Sequence, residues 1–448
     1  MAETTANDVE VATKPPGPDE LPLVGSLKEF FEDPLQFYTE TADEYGPVAY
    51  FTLGGNDFVT VSSPEYVKDV LVNNDDEYVK GQQFDDLMGP ICGNGVLLAE
   101  GDFWQSQRET LEPAFDPETL SRHCQVMTDY TQRRMDRWTS GEERSVYEDL
   151  MYTTLEIAGK VLFDFDVRPL DGDIPAAMET VRDYVARRLW RPVEVPEWMP
   201  MPGKREYREA LALIDETAYT IIDEAKASDS DQQTVIDLLL DKDDPLSRQQ
   251  IRDEVFTLLL AAHENTTLSA TYTLQLLAKN PYAMEKVHAE LDDVLDGDAP
   301  TFADIPRLTY LDKALTESLR LYPPVYSMLR ETKADTTLAG YAIPEGTTVS
   351  CQQWAIHRDS TFYDDPLSYR PERWTDEFEE RLPGFAYFPF GGGPRRCIAS
   401  RFAKFEVKAI LATMLRNWEL ETTLEKIEFK PSISLRPDTD VTMVPTPR

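Results

Sequence analysis

The sequence predicts a mainly α-helical fold with small β-sheets, an α+β architecture built around one long central helix. Helical patterns dominate between about Pro64 and Ile305. Residues 48–61 and 331–356 instead combine β-branched and aromatic residues with Gly and Pro turns, which is typical of short strands. The longest helical segment starts at the capping box Ser247-x-x-Gln250, ends at Lys279, and would span roughly 50 Å. No internal repeat interrupts this order.

The composition is that of a folded and very acidic protein. The 448 residues include 82 acidic and 44 basic ones, which gives a net charge of −38, and 41% of them are hydrophobic. Self-repulsion at this charge destabilises the compact state, and salt screens it because the Debye length falls to ~3 Å near 1 M. The chain is thus either a generally acidic enzyme or a halophilic protein resembling those of haloarchaea. Binding to nucleic acid is disfavoured in both cases because a polyanion would be repelled.

The cysteines and the beginning of the chain indicate a cytoplasmic location. The four cysteines lie far apart without a C-x-x-C motif, so neither a zinc site nor a disulfide framework is expected. Residues 1–18 form a polar, Pro-rich tail without an apolar run or a basic start, which argues against a signal peptide and a membrane anchor. Residues 19–448 are expected to form a single domain, with a small N-terminal β-rich lobe and a large helical lobe.

The central helix combines an apolar half with a polar insertion. Residues 255–262 are apolar almost all round, which predicts burial on every side. The sequence His263-Glu264-Asn265-Thr266-Thr267 follows, and burying such groups is costly unless each finds a partner. Either a polar network or a water-bearing cavity is therefore expected there. Further helices are predicted over 310–321 and from about Cys397 to Trp418, with Pro-rich coil before Phe390.

The segment Phe388-Pro-Phe-Gly-Gly-Gly-Pro-Arg-Arg-Cys397-Ile-Ala-Ser400 is the most informative part of the chain. A cysteine is a metal ligand or nucleophile only as thiolate, and nearby cations or a helix N-terminus lower its pKa. Three glycines allow the backbone to curl around the sulfur, Arg395 and Arg396 are cationic, and a helix is predicted to begin at Cys397 itself. The environment therefore predicts a stabilised thiolate. A nucleophilic cysteine of a hydrolase and a buried structural cysteine remain the alternatives.

The same segment resembles the haem-binding signature of the cytochrome P450 family. Phe390-x-x-Gly393-x-Arg395-x-Cys397-x-Ala399 matches F-x-x-G-x-R-x-C-x-[GA], in which the cysteine binds the iron. Glu317-x-x-Arg320 matches the family's E-x-x-R, and Pro371-Glu372-Arg373-Trp374 matches its P-E-R-[FW] segment. The resemblance implies a cytochrome P450 fold, with the long helix over the haem and the cysteine loop below it. It also implies that Glu317, Arg320 and Arg373 form a buried network that locks this loop.

The cofactor that this resemblance implies is haem b, with Cys397 as the metal ligand. Trp104-x-x-x-Arg108 resembles the family motif that binds a haem propionate, and Arg330 and Arg395 match two further propionate-binding arginines. Arginine forks suit anionic carboxylates in a closed site. The complete set of predicted cofactor-binding residues is Trp104, Arg108, Ala261, Arg330, Phe390, Gly391, Arg395 and Cys397.

The polar insertion of the long helix resembles the oxygen-activating groove of the family, [AG]-G-x-[DE]-T-[TS]. It appears here as Ala261-Ala262-His263-Glu264-Asn265-Thr266, so Glu264 takes the position of the acid that relays protons through water. Asn265 stands where threonine is usual, and an amide passes on a proton less readily than a hydroxyl. Thr266 follows about 100° further round the helix. The candidate catalytic residues are Glu264, Asn265 and Thr266.

The expected reaction is insertion of one oxygen atom from O₂ into a small lipophilic substrate, such as a fatty acid, a terpenoid or a carotenoid-like lipid. Substrate contacts are expected from the loop after Gly81, from residues 165–205, and from Val325–Met328. A peroxide-driven peroxygenase is the alternative enzyme, although Glu264-Asn265 does not match the Arg-Pro pair of such members. A haem-thiolate sensor without turnover is the alternative outside enzymes.

Electrons are expected from a separate protein because the chain contains neither a G-x-G-x-x-G site nor an appended reductase. We expect a ferredoxin-type donor with its own reductase, and a monomeric enzyme. Acidic ferredoxin would dock on the basic residues around the cysteine loop, steered by charge. These residues are Arg395, Arg396, Arg401, Lys404 and Lys408.

Overall fold

The computed structural model of the chain describes residues 13–19, 21, 24–168, 174–189, 201–227, 234–242 and 245–448. Most of the predicted tail over 1–18 lies outside the described residues. So does part of the predicted substrate region over 165–205.

The described part of the chain is mainly helical, as the sequence predicts. The α-helices are α1 (Leu27–Glu32), α2 (Pro34–Tyr45), α3 (Pro64–Lys68), α4 (Gln82–Cys92), α5 (Gly101–Leu111), α6 (Pro117–Met135), α7 (Val146–Phe163), α8 (Ile174–Leu189), α9 (Lys204–Ala227), α10 (Val235–Leu240), α11 (Arg248–Lys279), α12 (Pro281–Leu295), α13 (Thr309–Leu321), α14 (Gln353–Ile356), α15 (Asp376–Arg381) and α16 (Ser400–Leu415). None of the described helices combines the length and apolarity that crossing a bilayer requires.

The strands are short and form small sheets. They are β1 (Val48–Leu53), β2 (Asn56–Val61), β3 (Tyr78–Val79), β4 (Arg144–Ser145), β5 (Met328–Thr332), β6 (Thr336–Leu338), β7 (Tyr341–Ile343), β8 (Thr348–Cys351), β9 (Trp418–Thr422), β10 (Phe429–Pro431), β11 (Leu435–Pro437) and β12 (Thr442–Pro447).

The chain divides into two compact units, of which the first is rich in strands. It comprises Met1–Gln82, Ser327–Ile356 and Pro383–Arg395. Its main sheet has the strand order β1-β2-β8-β5-β3, in which only β2 and β8 pair in parallel. The predicted hairpin over 48–61 is confirmed. Gly54 and Gly55 both have positive φ, which a two-residue hairpin loop of this kind requires.

The second unit is largely helical and comprises Gln83–Tyr326, His357–Leu382 and Arg396–Arg448. Its small sheets are β4-β12-β9 and the hairpin β10-β11. Helix α11 is the centre of this unit because it contacts α7, α9, α13 and α16. Its predicted start and end are confirmed: the Ser247–Gln250 capping box is formed, and the helix ends at Lys279.

Three helix predictions need correction. The last helix begins at Ser400, three residues after the cysteine, rather than at Cys397. Residues 353–356, predicted as strand, form the short helix α14. Residues 376–381, predicted as coil, form α15 because the Thr375 side chain accepts a hydrogen bond from the Phe378 N–H and caps the helix.

Candidate active site

Cys397 differs from the other three cysteines in its surroundings. Cys92, Cys124 and Cys351 are buried, and burial raises their thiol pKa values to between about 11 and about 12. Cys397 is surrounded by protein on most sides yet remains exposed, so accessible space lies directly beside its side chain. A thiol that is largely surrounded by protein but still accessible is suited to binding a ligand beside it.

The acidity of Cys397 differs from the sequence-based expectation. Burial raises the pKa of its thiol, whereas the backbone N–H of Ala399 and the guanidinium groups of Arg108 and Arg396 act in the opposite direction. The expected lowering of the pKa is therefore wrong, because desolvation outweighs these donors and cations. A coordinated metal ion deprotonates a thiol outright. The surroundings of the sulfur are thus compatible with an iron-bound thiolate.

Helix α5 brings Arg108 next to the cysteine. Its Nη1 donates a hydrogen bond of 2.7 Å to the carbonyl oxygen of Arg396, the residue before Cys397. Trp104, one turn earlier on the same helix, is half-buried. The structure therefore brings Arg108 next to Cys397 within the helical unit, with Trp104 one turn away on the same helix.

Four of the other predicted cofactor residues, Arg330, Phe390, Gly391 and Arg395, belong to the strand-rich unit, whereas Ala261 lies on α11 of the helical unit. Arg330 lies on β5, is buried, and donates a hydrogen bond of 2.8 Å from Nη1 to the Leu329 carbonyl. Phe390, Gly391 and Arg395 are half-buried residues of the loop that leads to the cysteine.

The glycines of this loop are required by its packing. Gly391 has φ +72° and a Cβ there would lie 3.0 Å from Met328. Gly393 has φ +66°, and a Cβ would lie 1.8 Å from the Leu71 carbonyl oxygen. A side chain at either position would therefore displace the loop, as the sequence pattern predicts.

Helix α11 is open to accessible space at one place in its middle. Residues 251–259 and 266–277 are buried, whereas Ala261 is exposed and Asn265 is half-buried. Leu260, Ala262 and Glu264 are also half-buried. The prediction that 255–262 is buried on every side is therefore wrong over its last three residues. We call Leu260, Ala261, Ala262, Glu264 and Asn265 the open face of α11.

Thr266 is not part of the open face. It is only 4% exposed and lies about 100° round the helix from Asn265. Asn265 keeps its helical backbone and accepts a hydrogen bond of 2.7 Å from Ser269 Oγ at its carbonyl oxygen. Of the three candidate catalytic residues, Glu264 and Asn265 share the open face.

Glu264 points towards α8, where it meets Arg182. The carboxylate Oε1 lies 3.8 Å from the Arg182 guanidinium, and the two side chains are 12% and 10% exposed. No described residue donates a hydrogen bond to Glu264 Oε1 or pairs with Arg182 Nε. Arg436 lies close enough for its pKa to be raised by Glu264. Glu264 is therefore a nearly buried carboxylate between two cations, and its Oε1 is a buried acceptor to which no described residue donates.

His263 forms the polar network that the insertion in α11 predicts. Its Nδ1 lies 3.0 Å from Thr154 Oγ1 on α7, and Thr154 Oγ1 lies 2.7 Å from Thr267 Oγ1. Burial lowers the pKa of His263 to about 3, so its imidazole is neutral. This histidine contributes to packing between α7 and α11.

The predicted network of Glu317, Arg320 and Arg373 is present. Glu317 and Arg320 are fully buried. Glu317 Oε1 accepts from Arg320 Nη2 and Arg373 Nε, both at 2.8 Å, and Oε2 accepts from Arg320 Nε at 2.9 Å. Trp374 Nε1 also donates to Oε2 at 2.9 Å. The predicted burial of this network is thus confirmed, and the Glu317–Arg320 pair is not a solvated surface ion pair.

Sequence reasoning missed the long-range partners of the site. Nothing in the pattern of α8 distinguishes Arg182 from the other arginines of that amphipathic helix. The donor Trp374 could have been found, because it belongs to the quoted P-E-R-W segment. Three consecutive charged residues of α11, Arg252 to Glu254, were also passed over although burial of such a run is unusual.

Comparison with known proteins identifies the family. The family model for Cytochrome P450 matches residues 15–443. Cyclooctatin synthase of Streptomyces melanosporofaciens is 31% identical over 439 residues, covering 96% of this chain and 95% of that protein. Pentalenene oxygenase of Streptomyces avermitilis is 29% identical and covers 94% and 92%. Carotene epsilon-monooxygenase of Arabidopsis thaliana is 29% identical and covers 85% and 75%. The chain therefore belongs to the cytochrome P450 family of monooxygenases, which bind haem b through a cysteine thiolate.

Proposed function

We propose that this monooxygenase inserts one oxygen atom from O₂ into a small lipophilic substrate above the open face of α11. The observation that carries the proposal is that α11 is buried over 251–259 and 266–277 but open between these two stretches, at the open face. Bound haem supplies the oxygen chemistry, and a thiolate ligand favours O–O cleavage. Glu264 and Asn265 lie on this face as a proton carrier and a hydrogen-bond donor.

The two polar residues of the open face have separate roles in this proposal. Glu264, held 3.8 Å from Arg182, takes up a proton at its carboxylate and passes it on through water of the open face. The Asn265 amide donates a hydrogen bond and holds a water on the same face. Thr266, on the buried side, packs the helix and does not act directly.

We also propose which residues hold the cofactor. Cys397 binds the iron, and Trp104, Arg108, Arg330 and Arg395 bind the propionates. Phe390 and Gly391 shape the cysteine loop, and Ala261 leaves space on α11. Because the signature Phe390–Ala399 runs from one compact unit into the other at Arg395, we propose that residues 19–448 work as one catalytic domain.

A terpenoid or carotenoid-like substrate is favoured over a fatty acid. Two of the relatives are named for pentalenene and carotene. The open face carries the exposed Ala261, which offers apolar contact. A spin-state titration against hydrocarbons, their alcohols and fatty acids would test this, and a response limited to fatty acids would contradict it.

The ligand role of Cys397 is tested by the ferrous carbonyl spectrum. The native protein should show the red-shifted Soret band of thiolate-ligated haem, and Cys397→Ser should lose it. Cys124→Ser, at a buried cysteine of α6, is the matched control and should keep the band. Oxygen consumption that depends on substrate, ferredoxin and reductase then separates a monooxygenase from a sensor. Turnover driven by peroxide alone would favour the peroxygenase.

We propose that an acidic ferredoxin docks at the exposed cations of the segment after the cysteine loop. Arg396 and Arg401 are exposed, whereas Lys404 and Lys408 already contact Asp312 at 3.7 and 2.9 Å. Charge reversal at Arg396 and Arg401 should therefore slow reduction by ferredoxin, most strongly at low salt. Arg205→Glu, at an arginine exposed on α9, is the control. Unchanged reduction by ferredoxin, or an equal loss with dithionite, would contradict docking there.

The charge of −38 supports a protein adapted to a high-salt cytoplasm, where it works as a monomer. The urea midpoint should rise as KCl is increased to about 1 M, because the Debye length falls to ~3 Å and self-repulsion is screened. A protein of near-neutral net charge, titrated in the same way, is the control and should respond less. A midpoint that is independent of KCl would favour an ordinary acidic enzyme, and light scattering over the same range tests the monomer.

A further inference from the structure

The N-terminal part of α11 buries a run of charged residues that the proposed oxygen chemistry does not use. Arg252, Asp253 and Glu254 are 5%, 5% and 0% exposed. Burying charges is costly, and apolar side chains of similar size would pack at least as well. Packing alone therefore does not explain why these buried residues are charged, and specific bonding partners must account for them.

Their partners are backbone groups of the segment that follows α4. The Asn94 N–H donates to Asp253 Oδ2 at 3.0 Å, and the Val96 N–H donates to Glu254 Oε2 at 3.1 Å. Arg252 Nη1 donates to the Ile91 carbonyl at 2.9 Å. Three consecutive residues of α11 thus bind backbone N–H groups and a backbone carbonyl group of segment 91–96.

Two glycines of the segment make this close approach possible. A Cβ on Gly93, whose φ is +52°, would lie 2.2 Å from the Asp253 carboxylate. A Cβ on Gly95 would lie 2.2 Å from Thr257 Oγ1. Any other residue would push the segment away from α11.

The contact is fixed from the far side as well. Glu254 Oε1 accepts from Gln107 Nε2 of α5 at 2.7 Å, and Lys242 donates to Gln107 Oε1 at 3.2 Å. Arg252 also pairs with Asp215 of α9 and, at 3.0 Å, with Asp253. Burial raises the pKa of Glu254 to about 7, against the lowering effect of the Val96 N–H.

The segment ends beside the open face of α11. Gly95 packs against Thr257, which precedes Ala261 by four residues and therefore by about 6 Å along the helix. Val96 and Leu97 are half-buried and come next in the chain. A shift of the segment would thus change the wall of the space above Ala261.

We infer that Asp253 and Glu254 are positioning residues that clamp segment 91–96 as a preformed wall of the substrate site. We call this pair the acidic clamp. The inference rests on the proposed function, which places the substrate above the open face. A preformed wall needs no ordering when substrate binds, so the clamp contributes to the affinity for large ligands. Small ligands that do not reach the wall are unaffected.

Azoles of different size test the clamp without knowledge of the natural substrate. Clotrimazole and imidazole both bind haem iron, and clotrimazole is larger by three aryl groups, so under this inference it contacts segment 91–96 and imidazole does not. At pH 8, Glu254→Gln and Asp253→Asn should weaken clotrimazole binding roughly tenfold, which corresponds to about 1.4 kcal/mol. The imidazole affinity of the same variants should differ from that of the native protein by less than about twofold.

Amide hydrogen exchange reports the position of the wall directly. Peptides covering 91–99 should exchange faster in both clamp variants, because the Asn94 and Val96 N–H groups lose a carboxylate acceptor. Glu156→Gln is the matched control, since Glu156 is a buried carboxylate of α7 that pairs with Arg133 and Arg134. This control should leave both readouts as in the native protein.

A second variant covers the case in which the clamp variants do not fold. Gly95→Ala displaces the segment through a change in the segment itself and not in the acidic clamp. It should reproduce the selective loss of clotrimazole affinity. Unchanged azole discrimination and unchanged exchange in the folded variants would overturn the inference. The native carbonyl spectrum and imidazole binding report the haem site separately. If the native protein shows neither the carbonyl spectrum nor imidazole binding, the proposed function is wrong. If it shows both, but the clamp variants bind clotrimazole as tightly as the native protein does, only the clamp is wrong.

Discussion

Glu264 on α11 and Arg182 on α8 form a nearly buried ion pair whose closest atoms are 3.8 Å apart. The separation is too long for a direct hydrogen bond, so the two groups interact through their opposite charges. Arg182 thereby holds the carboxylate at the edge of the open face, where we propose that it exchanges a proton with water.

Replacing this arginine should impair both folding and proton delivery. In Arg182→Leu the nearly buried Glu264 carboxylate loses this counter-charge, so the free energy of unfolding should fall by about 2 kcal/mol. Product formed per O₂ consumed should fall as well. Arg187→Leu is the matched control, because Arg187 lies on the same helix and donates only to the Asp183 carbonyl among its recorded contacts. Equal coupling in the two variants would show that Arg182 has no role in proton delivery.

Asn265 occupies the open face at the position where threonine is usual. Asn265→Ala should raise peroxide release relative to product, because the amide hydrogen bond on this face is lost. Asn265→Thr should release less peroxide than Asn265→Ala, since a hydroxyl both donates and passes on a proton. Peroxide, oxygen and product measured in one reaction give the ratio. Coupling that is the same in Asn265→Ala and the native protein would mean that the amide does not participate.

Elements with local signals were predictable from the sequence. The capping box and the Asn280-Pro281 pair determine both ends of α11, and Gly54-Gly55 determines the turn of the first hairpin. The cysteine loop was found for the same reason, because its glycines and arginines are adjacent in sequence.

Features that depend on tertiary contacts were not predictable. Ala261 is exposed, yet the sequence of an apolar run does not indicate whether a given alanine packs against a neighbour or faces open space. The raised pKa of Cys397 results from desolvation by residues distant in sequence. The partners Arg182 and Glu264 are 82 positions apart, so neither residue signals the other.

The Glu317 network should make a large contribution to stability. Glu317→Gln leaves Arg320 and Arg373 buried without their shared carboxylate, so the free energy of unfolding should fall by about 3–5 kcal/mol. Urea unfolding measures this loss. Glu372→Gln is the control, since Glu372 pairs with Lys286 in a half-exposed ion pair and should cost less than about 1 kcal/mol. Similar costs for the two variants would contradict a structural role for the buried network.

Glu406 on α16 predicts a pH-dependent stability that one substitution should remove. Burial raises the pKa of its carboxyl from 4.5 to about 8, and no described residue donates a hydrogen bond to its Oε1. The folded state therefore holds a proton that the unfolded chain releases near pH 4.5. The stabilisation from this proton is complete below pH 4.5 and is lost as pH rises through about 8.

Glu406→Gln should consequently become more stable than the native protein as pH rises from 5 to 8, by up to about 1.4 kcal/mol per pH unit. Urea unfolding at pH 5, 6.5 and 8 gives the difference between the two proteins. Glu425→Gln, at an exposed glutamate after β9, is the control and should follow the native curve. Parallel curves for Glu406→Gln and the native protein would mean that Glu406 is ionised in the folded state. Burial makes that outcome costly, since a buried carboxylate loses its hydration and no described residue donates a hydrogen bond to its Oε1.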